Sequence, residues 1–233
     1  MKNQYFGDIN DYRKFGLIRA LTGYGELSSG ICWMLTEDDS RPDGGKLDYL
    51  LKPDTWRGYD GELFEALREA VVIQGERSVQ GADKRNIVPG GEYYETILTD
   101  DRVERSHFFA QFFQRSQGKD LLFFDPDNGM EIKSVPPGKK NSSKYLYWQE
   151  LEGIHELGAS VLIYQHFPRE SRDVFIERMI PGFQKRTEYE QVISFRTSHV
   201  VFFLLALDKH MNIFKKCIAI LLTQWEGQFT VSS

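Results

Sequence analysis

The chain reads as an α/β protein whose mostly parallel sheet is finished by antiparallel strands. Helix-period segments alternate with short apolar runs through the first three quarters of the sequence. The runs "LLFF" and "SVLIY" are uninterrupted, as in strands covered on both faces. The last third then brings strand-like runs close together. No composition break divides the 233 residues, so a single domain over 1–233 is expected, long enough to bury a proper core.

The elements follow in order. "DINDYRKFGLIRALTGYG" has an acidic start, apolar Phe15, Leu17, Ile18 and Leu21 and a Gly-rich finish, which predicts a helix from Asn10 to Thr22. "SGICWMLT" is a short buried strand, and the Gly/Pro-containing stretch up to Pro53 is a loop with a brief helical turn. Leu63, Phe64, Leu67, Ala70 and Val71 predict an amphipathic helix over Asp60–Val72. A short strand is expected around Ile87. "TDDRVERSHFFAQFFQRSQG" carries a Thr/Asp cap, acidic first-turn residues and Gly118 after the last periodic residue, hence a helix. After the strand "LLFF", a loop leads to "KYLYWQELEGIHELG", read as a helix ending at Gly158, and "ASVLIYQHF" is another buried strand. "PRESRDVFIERMIPGF" is helical in spacing, and "VISFRT", "HVVFFLLALD" and "CIAILLTQW" all read as strands.

A net charge of -5 and a pI near 5.6 give no overall attraction to nucleic acid, so such a partner needs a local basic patch. Lys139, Lys140 and Lys144 offer one, and Arg169, Arg172, Arg178, Lys185 and Arg186 another; the plain alternative is a solvated face. Cys32 and Cys217 sit in apolar runs and act as small hydrophobes, with no disulfide or zinc pattern. The polar opening "MKNQYFGDINDYRK" and the absence of a membrane-length apolar segment lead to the expectation of a cytoplasmic protein with no membrane partner.

One stretch concentrates chemistry. "LLFFDPDNGMEIKS" sets Asp125, Pro126, Asp127, Asn128, Gly129, Glu131 and Lys133 at the end of a buried strand, where open α/β sheets bind ligands. Four readings compete. A calcium loop fits poorly, because Gly129 stands at position five counted from Asp125 and no glutamate follows at position twelve. A metal-dependent nuclease or phosphodiester hydrolase would use Asp125, Asp127, Glu131 and Lys133 with Mg²⁺. A plain tight turn would have Asp and Asn bond their own backbone. An amine-methylating site would use a side-chain acceptor and a backbone carbonyl to hold an NH2 group with its lone pair toward a methyl donor. If the turn is catalytic, Asp125→Ala is expected to abolish the reaction with little loss of stability. Among other residues, Asp11 and Lys14 share a helix face and make, at the least, a surface ion pair worth a few tenths of a kcal/mol, roughly. His166 follows a buried strand and could serve as base or hydrogen bonder. His107 and His199 lie in apolar surroundings without a partner at metal spacing.

"GDINDYRK", with Gly7, Asp11 and Lys14, resembles the G-x-x-x-D-x-x-K opening of the bacterial large-subunit ribosomal RNA adenine methyltransferases of the J type. "IVPGGEYY", "RVERSHFFAQF", "LLFFDPDNG" and "VLIYQHFP" are similar, in the same order over about two-thirds of the chain, to that family's Tyr-Pro-Gly-Ser, R-V-E-K, Asp-Pro-Pro-Tyr and Tyr-Pro segments. The resemblance implies a Rossmann-like, methyltransferase-type three-layer sandwich that transfers a methyl group from S-adenosylmethionine to an amine, with a nucleobase of RNA or DNA as acceptor. It implies a catalytic turn of Asp125, Pro126, Asp127 and Asn128, cofactor binding by Asp11, Lys14, Asp43, Gly44 and Gly45, and substrate binding by Tyr164 and His166. Asp127 and Asn128 stand where the family carries a proline and a base-stacking aromatic, so a ring would have to come from Tyr164, Phe167 or Tyr145. No Gly-rich turn follows the first strand, and Asp43-Gly44-Gly45 is the only candidate for close backbone approach. The family's acidic ribose-binding residue after the second strand has no evident counterpart. A catalytically inactive binding protein on the same fold is the remaining alternative.

Overall fold

The computed structural model describes residues 1–38 and 44–233. In chain order its elements are α1 (Ile9–Leu21), β1 (Ser29–Cys32), α2 (Pro53–Trp56), α3 (Gly61–Arg68), α4 (Gln80–Lys84), β2 (Gly91–Tyr94), α5 (Arg102–Arg115), β3 (Leu121–Phe124), β4 (Gly129–Met130) and β5 (Tyr145–Leu146). There follow α6 (Trp148–Leu151), β6 (Ser160–His166), α7 (Arg172–Arg186), β7 (Gln191–Arg196), β8 (Val200–Ala206), α8 (Asp208–Gln224) and β9 (Thr230–Ser232). A seven-stranded sheet runs β2-β1-β3-β6-β8-β7-β9. Strands β2, β1, β3 and β6 are mutually parallel, and β8 is antiparallel to both β6 and β7. The result is a Rossmann-like sandwich with helices on both faces.

The strand alternation explains the two cores. Leu121 and Phe123 of β3 face one apolar cluster with Ile31, Leu162 and Phe202, covered by α1, α3, α4 and α8. Leu122 and Phe124 face the other with Cys32, Val161 and Phe203, covered by α5 and α7. Side chains alternate between faces at period two, so an unbroken apolar run is what a strand buried on both sides needs. Asp8 caps α1 by accepting from the Asn10 and Asp11 N–H groups, and Asp60 and Asp101 cap α3 and α5 likewise. Gly16 lets α1 approach α8 closely, since a Cβ there would lie 2.0 Å from the Trp225 ring. Among the described residues, no helix is long and apolar enough to cross a membrane.

Several elements depart from the sequence reading. "CIAILLTQW" is not a strand but the second half of α8. Its buried residues His210, Phe214, Cys217 and Leu221 recur at helical spacing, while Ile220 and Leu222 face solvent. A short apolar run does not by itself distinguish the two periods. The helix expected to end at Gly158 is broken: Tyr145 and Leu146 pair with β4, α6 restarts with Glu150 accepting the Tyr147 N–H, and a 3-10 turn at His155–Leu157 ends at Gly158. The strand sought near Ile87 begins only at Gly91, and the Ile87 carbonyl instead accepts from Arg19. The helix expected over Asp60–Val72 has Asp60 as its cap and continues beyond Arg68 as a π-helical turn to Ile73.

Candidate functional site

The turn after β3 is held from three directions. Asp125 N–H continues the β1–β3 ladder by donating to the Cys32 carbonyl at 3.0 Å. From α1, the Lys14 ammonium lies 2.6 Å from Asp125 Oδ2 and 2.6 Å from Asp11 Oδ1, with all three side chains buried. Asp11 Oδ2 accepts the Gly7 N–H at 3.0 Å, which ties the entry of α1 to the same network. Asp127 pairs with the Met1 amino group at 2.7 Å and accepts the Thr36 hydroxyl at 3.0 Å. From β6, the Gln165 side chain accepts the Met130 N–H at 2.7 Å and donates to the Asn128 carbonyl at 3.4 Å. Gly129 adopts φ +100°, and a Cβ there would lie 2.3 Å from the Gln165 amide, so glycine is required for this contact.

Burial alone would lower the Lys14 ammonium, but Asp11 and Asp125 outweigh it and hold it above the ordinary lysine range. Burial pushes Asp11 up to about 7 against the pull of Lys14, with Asp8 and Asp125 adding to the rise. Burial likewise raises Asp8. Asp127 goes the other way: burial would raise it, yet the Met1 amino group and the Thr36 hydroxyl bring it below the usual carboxylate range. The Lys14 ammonium also lies 5.2 Å from the centre of the Tyr164 ring and 5.6 Å from that of Trp33.

These groups border a cavity of about 390 Å³ at the carboxyl ends of β3 and β6, within the usual size of a small-molecule pocket. It is lined by Asp11, Lys14, Gly44, Asp125, Pro126, Asp127, Asn128, Tyr164 and His166, residues the sequence nominated as far as 150 positions apart, roughly, in an open α/β sheet. Asp43 lies outside the described residues. Gly45 is exposed and is not part of the lining. Asp11 and Lys14 are not a surface pair, because both are buried against Asp125. Nor is the motif a plain turn closed on its own backbone, since Asp125 and Asp127 bond distant partners. The alternative metal set of Asp125, Asp127 and Glu131 is not assembled. Glu131 Oε2 accepts the Trp148 N–H at 3.0 Å and borders a different cavity. Among the described residues, no group of three or more His, Cys, Asp or Glu side chains could hold a metal ion.

The sequence reading passed over Tyr5, Asp8 and Lys46, which also line the cavity, and had Lys144 only as a surface cation. It passed over Glu95 as well. This residue directly follows β2, and its Oε1 is buried without a hydrogen-bond partner. Burial, with Asp83 nearby, raises its carboxyl. The signal was present in "EYYE", but β2 is too short to be located from its four residues. Compared with protein-family models the chain matches none, and no curated protein is similar enough to count as a relative.

Proposed function

We propose that the protein is an S-adenosylmethionine-dependent methyltransferase acting on an amine, with a nucleobase of RNA or DNA as the acceptor class. The observation that carries this reading is the Asp125–Asn128 turn, set on the wall of a polar cavity at the carboxyl end of a central parallel strand. The sheet supports it, with the antiparallel β8 inserted between β6 and β7.

Carboxylates are the side chains available to the cofactor. Glu95 has an unpaired buried carboxylate oxygen directly after β2, the place where Rossmann-like sheets hold a ribose diol, and stands outside the lining of the 390 Å³ cavity. Asp8 lines the cavity and offers a carboxyl group to an amino group, while Asp11 is committed to Lys14 and the Gly7 N–H. No glycine turn follows β1. Trp33–Thr36 stand there, with the Met1 amino group 3.4 Å from the Met34 carbonyl and the Met1 carbonyl accepting the Thr36 N–H at 2.9 Å. S-adenosylmethionine supplies an electrophilic methyl group on a sulfonium sulfur. Lys14 fixes the Asp125 carboxylate, so that an acceptor amine meets a preset hydrogen-bond acceptor and loses little freedom in the reaction. On the rim, Lys46 and Lys144, with exposed Lys139 and Lys140 just before Lys144 and exposed Arg169 and Arg172 shortly after His166 in sequence, provide cations for a phosphate backbone.

The test is a thermal-shift titration with S-adenosylmethionine and S-adenosylhomocysteine, followed by transfer of labelled methyl to bulk RNA and DNA. A ligand at about 100 times its Kd should stabilise the fold by about 2.7 kcal/mol. A melting temperature unmoved by either ligand sinks the reading.

A further inference from the structure

A second cavity, of about 430 Å³, adjoins the first, and Asn128 and His166 line both. Its walls differ in kind. Tyr145, Phe167, Ile132 and Met130 make it largely apolar, Glu131 sets a carboxylate in the wall, and the Glu170–Arg178 ion pair, at 2.6 Å, also borders it. The walls are fixed by the elements that build the turn. Tyr145 is opposite Gly129 in the β4–β5 pair, which places the tyrosine beside the Asp125–Asn128 turn by backbone register. Phe167 packs edge-on to Phe175 with ring centres 5.9 Å apart, and the Arg172 guanidinium covers it at 5.4 Å. Gln165 joins Asn128, Met130 and the His166 carbonyl, so the partition between the two cavities is hydrogen-bonded on both sides.

We infer that this second cavity is the acceptor pocket and takes a flat heterocyclic ring bearing an exocyclic amine. The ring packs on Tyr145 and Phe167, and one N–H of the amine is accepted by Glu131, which leaves the other N–H for the Asp125 turn. The inference rests on the methyl-transfer reading for its role, but the binding site stands on its own geometry. It accounts for Asp127 and Asn128 in place of a proline and an aromatic: the stacking rings come from β5 and from the end of β6, and the turn is left polar. Ring stacking is tolerant of ring identity, whereas a carboxylate edge selects ligands that donate.

The experiment titrates adenosine and cytidine, each with and without S-adenosylhomocysteine, into the full chain and into Phe167→Leu, Tyr145→Leu and Glu131→Gln. Ile132→Glu, at an exposed position, is the variant least able to disturb folding. The expected result is about ten-fold weaker nucleoside binding in the ring variants and in Ile132→Glu, with an unchanged thermal shift from S-adenosylhomocysteine. Unchanged nucleoside affinity in folded ring variants, or no nucleoside binding to the parent protein, overturns the inference. Weakened binding in the ring variants together with no response to S-adenosylhomocysteine supports the ring site while removing the methyl-transfer reading.

Discussion

At its amino end β3 is preceded by Asp120, whose carboxylate accepts the Ser28 N–H at 2.9 Å and the Ser28 hydroxyl at 2.8 Å and lies 3.5 Å from His210 Nε2. The His210 Nδ1 meets the Ser160 hydroxyl at 2.9 Å, and that oxygen also accepts the Leu207 N–H. At its carboxyl end β3 runs into Asp125, bonded to Lys14 and bordering the cavity. Four residues separate two polar clusters of similar composition, yet the first sews β1, β3, β6 and α8 together, while the second surrounds space for a ligand. Parallel strands deliver their carboxyl ends to a shared crevice, and there polar groups face a cavity as well as each other. At the amino ends the same residue types are used up in joining the elements.

The largest expected difference between the two ends comes from Lys14→Met. It leaves Asp11 and Asp125 buried without their shared cation, and should cost about 3–5 kcal/mol in a denaturant titration. A loss below 1 kcal/mol, about the value of an exposed pair, would mean that the network is solvated. Asp125→Asn should remove the proposed methyl transfer and also cost about 1–3 kcal/mol, because it deletes one of Lys14's two carboxylates. The buried Lys14–Asp125 pair is the reason a stability loss is expected here, where the sequence alone led to the expectation of little loss. Asp120→Ala should cost about 1–2 kcal/mol through its lost hydrogen bonds and leave activity unchanged. A large drop in kcat would show that the amino end is not merely a latch.

Asp11 at the one end and Asp120 at the other should also respond to pH with opposite signs. In the folded state Asp120 is lowered: burial opposes this, but the Ser28 bonds, His210 and Lys209 prevail. Its stabilisation is therefore present above the unfolded value of 3.8 and lost as pH falls through the lower folded one. Asp11 is raised to about 7, so the native state binds a proton that the unfolded chain releases between 3.8 and 7. Its contribution is present at low pH and lost as pH rises through 7. Melting curves of Asp11→Asn should lack the decline between pH 4 and 7, about, and those of Asp120→Asn the decline below pH 4, roughly. Parallel profiles for the two variants would refute the contrast. The smallest effect on stability belongs to Glu95→Gln, within about 0.5 kcal/mol, since its buried oxygen has no partner to lose. The same variant should weaken the response to S-adenosylhomocysteine, and an unchanged response would detach Glu95 from the cofactor.

Much of the architecture could be read locally. The caps at Asp8, Asp60 and Asp101 and the apolar runs of β3 and β6 are signals carried within a few residues. The errors fell where distant chain decides. Tyr145 and Leu146 became a strand because Gly129 and Met130 pair with them, and "CIAILL" became helix because α8 lies on α1 and presents only one of its faces inward. Asp125, Lys14, Tyr164 and His166 were nominated for the site, but their meeting could not be seen.

The sequence by itself determined the α/β class, the strand that ends at Asp125 and the residue types available there. These follow from hydrophobic period and from capping and turn chemistry, which act over a turn or two of chain. Only the tertiary structure decided that Lys14 is shared by Asp11 and Asp125, that Glu131 faces a second cavity, and that the aspartate at the other end of β3 is a latch. Charge sharing and burial depend on which elements the sheet order brings together, and that order is set by packing over the whole chain.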